Sequence, residues 1–250
     1  MAVIFVHGVP ETAAIWDPLL AELGREDAIT LSPPGFGAPV PDGFGATSDD
    51  YLAWLTAEVE EIVGGPHDLI GHDWGGGHVA RLAAARPDLV RSWATDIAGP
   101  FNPDYVWHDL AQVWQTEGAG EELVAAMFSG PPEARTEALV QAGMTEPAAR
   151  SSAENLGPET GRCILALYRS ARQPAMATWG QQLETAERRP LLVIIATADP
   201  YTGGPGLAHR TAERLGAQEA VLDGLSHWWM LHDPAQGARV IRDFLASLPG

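Results

Sequence analysis

Position 73 holds an aspartate between glycines at 71 and 75, in the stretch Leu69-Ile70-Gly71-His72-Asp73-Trp74-Gly75-Gly76-Gly77-His78. The run from His67 to Ile70 reads as the end of a buried strand. Gly75 to Ala85 reads as a helix with small residues where it must press on a sheet. Glycines two before and two after the central residue relieve steric clash. The side chain at 73 can then stand at a strained strand-to-helix turn, exposed at the carboxyl edge of the sheet. A plain helix N-cap in a glycine-rich turn satisfies the same spacing. What distinguishes Asp73 is chemistry: a carboxylate there attacks an electrophilic sp³ carbon and leaves an alkyl ester, whereas serine serves acyl transfer at a carbonyl. The helix amino terminus beneath it favours the ionised form.

Two other stretches supply partners. Ser226-His227-Trp228 lies near the chain end, and Asp199 lies in Ala196-Thr197-Ala198-Asp199-Pro200, just past a strand. The order is nucleophile, acid, histidine. His227 is the expected base; it activates the water that attacks the ester carbonyl carbon. Asp199 is the expected acid, holding the imidazole tautomer. Asp96, past the preceding core strand, is the alternative acid, while Asp223 reads as part of a turn with Gly224. His72, His78, His209 and His232 read as structural. His7 belongs to the turn that places Val9, and Glu11 reads either as ordering nearby water or backbone or as a solvated loop carboxylate.

Together, Gly71-His72-Asp73-Trp74-Gly75-Gly76 and His7-Gly8-Val9-Pro10-Glu11 resemble the epoxide hydrolase branch of the α/β-hydrolase superfamily, with haloalkane dehalogenases as close relatives. The resemblance covers nearly the whole chain. It implies an oxyanion hole from the backbone N–H groups of Val9 and Trp74. Independently, one follows a glycine-ended strand and the other is the first residue past the nucleophile. It implies a cis Val9–Pro10 bond. It also implies a phenol from a helical cap that protonates the leaving oxygen. Leu167-Tyr168-Arg169-Ser170 resembles the segment carrying that phenol, so Tyr168 takes the role. Val113 to Gly118 resembles the early cap segment, but no tyrosine occupies the matching place; His108 or Tyr105 are the stand-ins. The dehalogenase alternative keeps Asp73, His227 and the acid, and replaces the phenol by N–H donors to a halide. Trp74 fits one donor, and Trp107, Trp114 and Trp179 are candidates for the second. A ligand-binding homologue that has lost turnover is the third reading.

The 250 residues carry a formal charge of −18, and all 15 basic residues are arginine. Such a surface repels phosphate backbones and anionic lipid, so neither nucleic-acid nor membrane binding is expected. The lone cysteine, Cys163, sits in an apolar run and permits no intrachain disulfide. The chain starts directly on a strand, with no signal-like segment, and no apolar run approaches a membrane span. A cytoplasmic protein, monomer or homodimer, is expected. The expected substrate is a small apolar epoxide or halogenated compound reacting with water, without metal or organic cofactor.

Strand-like runs at Ala2–His7, Ala28–Leu31, His67–Ile70, Val90–Ile97, Leu191–Ala196 and Ala217–Leu222 alternate with helical patterns. These predict an α/β-hydrolase fold: a mostly parallel twisted sheet of about six strands with helices on both faces. The first two strands usual in the family have no counterpart. From Phe101 to about Glu184 only short helical patterns occur. The expected division is a core of residues 1–100 and 185–250, with a helical cap inserted at 101–184.

Overall fold

The computed structural model describes residues 2–249. Six strands form one sheet: β1 (Val3–Val6), β2 (Ala28–Leu31), β3 (His67–Gly71), β4 (Val90–Thr95), β5 (Leu191–Ala196) and β6 (Gln218–Leu222). Their order is β2-β1-β3-β4-β5-β6, and every pairing is parallel. The runs in the central strands are continuously apolar because both faces are covered. In β1, Ile4 and Val6 join one core, while Val3 and Phe5 join the other on the opposite face. The residues of β5 alternate in the same way. Each such side chain contributes about 1.5–3 kcal/mol on burial. The outermost strands, β2 and β6, are only partly covered.

Helices flank the sheet. The helical stretch after β1 is split into a 3₁₀ turn, Ala13–Trp16, and α1, Asp17–Leu23. Pro18 is the cause: it is favoured in a first helical turn and disfavoured further in. Next come α2 (Ser48–Glu61) and α3 (Trp74–Ala85). Thr47 and Asp50 form a reciprocal capping box at the start of α2. Between β4 and β5 the chain forms six helices: α4 (Asp109–Gln115), α5 (Ala119–Phe128), α6 (Pro132–Ala142), α7 (Glu146–Asn155), α8 (Pro158–Ser170) and α9 (Ala175–Thr185). After β5 come α10 (Pro205–Leu215), the single turn α11 (Trp229–His232) and α12 (Pro234–Ala246). Pro234 opens α12, with the Asp233 side chain capping it. Among the described residues, no helix is long and apolar enough to cross a membrane.

Candidate active site

The turn from β3 into α3 lifts Asp73 out of the sheet. Its backbone sits at φ 49°, ψ −128°, a conformation that costs a non-glycine residue about 1–3 kcal/mol. Two glycines make the turn possible. A Cβ on Gly75 would lie 2.1 Å from the Val6 carbonyl oxygen, and one on Gly8 would lie 2.3 Å from Asp73 Oδ1. The ends of β1 and β3 therefore approach more closely than side chains allow. The Asp73 N–H is held by Asp96 Oδ1 at 3.0 Å.

That closeness sets the environment of the carboxylate. Val9 N–H donates to Asp73 Oδ1 at 2.9 Å, and the backbone N–H of Trp74 also faces the carboxylate. The Val9–Pro10 bond is cis, as the resemblance implies. Asp73 Oδ2 lies 3.8 Å from His227 Nε2, too far for a direct hydrogen bond. Burial pushes the Asp73 pKa up to about 6, partly offset by the nearby His227.

His227 follows β6 and the Asp223–Gly224 turn. Its Nδ1 lies 2.8 Å from Asp199 Oδ2, and the other Asp199 oxygen accepts the Tyr201 N–H at 2.8 Å. With Nδ1–H committed to Asp199, Nε2 carries the lone pair that faces Asp73. Burial disfavours the imidazolium, but the Asp199 charge, its hydrogen bond to the ring and the Asp73 charge together raise the His227 pKa. Burial likewise opposes the charge on Asp199, yet His227 and the hydrogen bonds bring its pKa below the usual carboxylate range. Of the two candidate acids, the geometry pairs Asp199 with His227. Asp96 instead accepts from Asp73 N–H, Trp229 Nε1 and His72 Nδ1.

Two cavities meet at Asp73. The larger, about 160 Å³, is lined by Asp73, His227, Val9, His108, Trp114, Tyr168 and Tyr201, and also by the apolar side chains of Leu110, Met127, Ala138, Leu139, Ala142 and Trp228. The smaller, about 20 Å³, lies against Trp74, Trp107, Tyr105, Ile97 and Thr202 and shares Asp73, His108, Tyr168 and Tyr201 with the first. Tyr168 is buried, and burial together with the Asp73 charge raises its phenol well above its ordinary pKa, so it stays protonated. His108 accepts the Ala111 N–H at Nδ1 (3.2 Å), which places the proton of its neutral ring on Nε2. Burial lowers its pKa to about 4, keeping it neutral. Tyr105 lines only the smaller cavity, and its hydroxyl already donates to the Tyr201 carbonyl at 2.7 Å.

Trp107 and Trp114 both line a cavity, and both indole N–H groups are buried without a partner among the described residues. Trp179 is a correction to the expectation from sequence. It lines neither cavity, and the Arg81 guanidinium stacks over its ring at 4.5 Å. Sequence reasoning missed Tyr201, whose ring meets His227 edge-on at 4.9 Å. Its place two residues after Asp199 was the available signal. It also missed Leu110, Met127 and Leu139, for which no local signal exists. Glu11 is neither solvated nor beside the cavity. It is buried and bound to His72, Gly8 N–H and Trp228 Nε1.

Glu11, His72 and His227 offer atoms within 4.8 Å of one another, a spacing a metal ion would accept. The donor chemistry does not fit: both nitrogens of His72 face carboxylate oxygens, so they carry protons rather than lone pairs. No arginine lines either cavity.

Comparison with known proteins agrees with this architecture. A haloalkane dehalogenase from Bradyrhizobium diazoefficiens is 27% identical over 249 residues, covering 97% of this chain and 74% of that protein. A 2-(acetamidomethylene)succinate hydrolase from Mesorhizobium japonicum is 28% identical over 121 residues. That match spans 48% of this chain and less than half, 42%, of the relative. Among solved structures, a DBJA variant superimposes with a TM-score of 0.77 at 22% identity, over 99% of this chain and 91% of that one. An E-2-(acetamidomethylene)succinate hydrolase superimposes with a TM-score of 0.74 at 19% identity, over 98% and 91%. At these identities the structures speak for the fold alone. The sequence pattern of the alpha/beta hydrolase family matches residues 3–240, and the chain belongs to that family.

Proposed function

We propose that the protein hydrolyses epoxides to vicinal diols through an ester on Asp73. The observation that carries this reading is the pair of neutral proton donors, the Tyr168 phenol and the His108 Nε2–H, lining the same cavity as the Asp73 carboxylate. In the first step Asp73 Oδ2 attacks one ring carbon. The C–O bond breaks, its electron pair goes to the ring oxygen, and Tyr168 delivers a proton there. An alkoxide is a poor leaving group without such donation. His108 supplies a second hydrogen bond to the same oxygen.

In the second step His227 Nε2 takes a proton from water as the water oxygen bonds to the ester carbonyl carbon. Oδ1 becomes the oxyanion, held by Val9 N–H and Trp74 N–H. Collapse breaks the Cγ–Oδ2 bond, and the proton of the added hydroxyl passes to the leaving alkoxide, which releases the diol and restores the carboxylate. The proton on His227 returns to the Tyr168 oxygen through solvent, so the sum is one epoxide plus one water. The substrate class follows from the walls: neutral, largely apolar, and small enough for about 160 Å³.

A second reading, haloalkane dehalogenation, is favoured by a specific feature. Trp74 and Trp107 stack at 5.9 Å beside the smaller cavity, and the Trp107 N–H has no partner among the described residues. A halide leaving from a carbon bound at Asp73 would meet that donor. A haloalkane dehalogenase is among the relatives of this chain. Parallel assays with styrene-oxide-type epoxides and short haloalkanes separate the two. The epoxide reading expects diol and little halide release; halide release without diol would replace it with the second.

A further inference from the structure

The steps above make no use of a buried cluster that lies against His227. His72 has no exposed side-chain surface and sits between two carboxylates. Its Nδ1 is 2.5 Å from Asp96 Oδ2, and its Nε2 is 3.1 Å from Glu11 Oε1. Both ring nitrogens face acceptors, and only the doubly protonated ring satisfies both. The same two carboxylates accept four more N–H groups. Glu11 Oε2 takes the Gly8 N–H at 3.0 Å, and Oε1 takes the Trp228 indole at 2.5 Å. Asp96 Oδ1 takes the Asp73 N–H at 3.0 Å, and Oδ2 takes the Trp229 indole at 2.8 Å.

The identity of these donors is what matters. Gly8 precedes Val9, Asp73 is the attacking residue itself, and Trp228 and Trp229 follow His227. Three segments that are distant in sequence each carry one reacting group. Each is tied, within two residues of that group, to one ion cluster. Glu11, His72 and Asp96 line neither cavity, so they act through these neighbours and not on substrate.

The geometry points to Glu11, His72 and Asp96 as a single positioning unit, a buried carboxylate–imidazolium–carboxylate that fixes the spacing of the Val9 N–H, Asp73 and His227. It rests on the reading of Asp73 and His227 as the reacting pair. A buried ion cluster of this kind holds only while complete, because one unpaired charge left inside is strongly destabilising. The charges agree with the geometry. Burial disfavours the His72 cation, yet Asp96 and Glu11 raise its pKa well above the ordinary value. Burial disfavours the Glu11 anion, yet His72 brings its pKa down to about 2.

The test reads ionisation and so needs no substrate. His72 is faced by Glu11, Asp96 and the His227 ring at 4.5 Å, with His7 nearby and the Trp16 edge closing one side. His227 is faced by Asp199, Asp73, His72, Tyr201 and Trp228, with Glu11 and His108 in its field. Ring-nitrogen NMR of the full chain with ¹⁵N-labelled histidine is recorded between about pH 5.5 and 9. The expected result is a His72 signal doubly protonated throughout, while His227 titrates.

Glu11→Gln and Asp96→Asn each remove one anion and keep an acceptor oxygen for the backbone N–H. In either variant the His72 cation is less balanced, so the His227 midpoint falls, by about half a pH unit or more. On a substrate the native enzyme turns over, kcat falls about 10- to 100-fold with KM changed little, as for a displaced rather than a missing group. A His72 signal that titrates or is neutral in this range overturns the proposal, and the native protein alone decides that outcome. So does a His227 midpoint that stays in place in a folded variant. Neither result touches ester formation on Asp73, which is read separately by mass.

Discussion

The two sides of Asp73 are built differently. On the sheet side, Glu11, His72 and Asp96 are buried, and every carboxylate oxygen and ring nitrogen has a partner. On the helical side, the indole N–H groups of Trp107 and Trp114 are buried with no partner among the described residues. A buried donor left unpaired costs about 1–3 kcal/mol. The side that fixes geometry is saturated; the side that lines the cavities holds two indole N–H groups with no partner among the described residues. On the reading proposed above, pre-organisation and recognition fall to separate layers, with Asp73 at the seam.

This contrast orders the expected effects of mutation. The largest lies at the seam: Asp73→Asn should reduce turnover of any accepted substrate by about 10⁴-fold or more, with circular dichroism unchanged. Retained activity would remove the residue from the chemistry. Next come the two donor sets of the helical side. Tyr168→Phe should slow epoxide opening by about 10²- to 10³-fold while sparing a halide substrate. Equal loss on both would show the phenol is packing, not a proton donor. Trp107→Phe should do the reverse, slowing halide release by about tenfold with epoxide opening within twofold; rates measured side by side on the two variants make the comparison internal.

The smallest effect concerns stability. His78 is buried, stacks on Tyr51 at 4.8 Å, and leaves Nε2 unpartnered. Burial, with Arg81 nearby, lowers its pKa to about 3 from an ordinary 6.5. Between those values the unfolded chain binds the proton and the folded one does not, so this residue costs stability as pH falls from 6.5 toward 3. His78→Phe keeps the stack and removes the titration. The difference in Tm, variant minus native, should therefore grow in the variant's favour from pH 7 to pH 4. A constant difference would place the pH dependence elsewhere.

Much of this was legible in the chain. Glycines at 71 and 75 announce the turn because a residue without a side chain permits the backbone approach, and alternating strand and helix patterns give the sheet. The sequence ranks Asp199 ahead of Asp96 as the acid, but both follow a core strand. Which one meets His227 depends on how the loop after β6 returns. Trp179 was misplaced because residue type does not tell which helix face meets the cavity. Met127 and Leu139 were invisible for the same reason. Ordering of backbone by Glu11 was one of its two sequence readings, and its bond to Gly8 N–H fits it, but the cluster it forms with His72 and Asp96 was hidden. A buried ion cluster spanning three loops leaves no periodic trace in any one of them.

The most direct measurement is the intact mass of His227→Gln after incubation with an epoxide that the native enzyme turns over. With attack intact and the base removed, the protein should gain the mass of one substrate, and peptide mapping should place it on Asp73 as an ester. No added mass, or an adduct on any other residue, would contradict a carboxylate at the strand-to-helix turn as the attacking group.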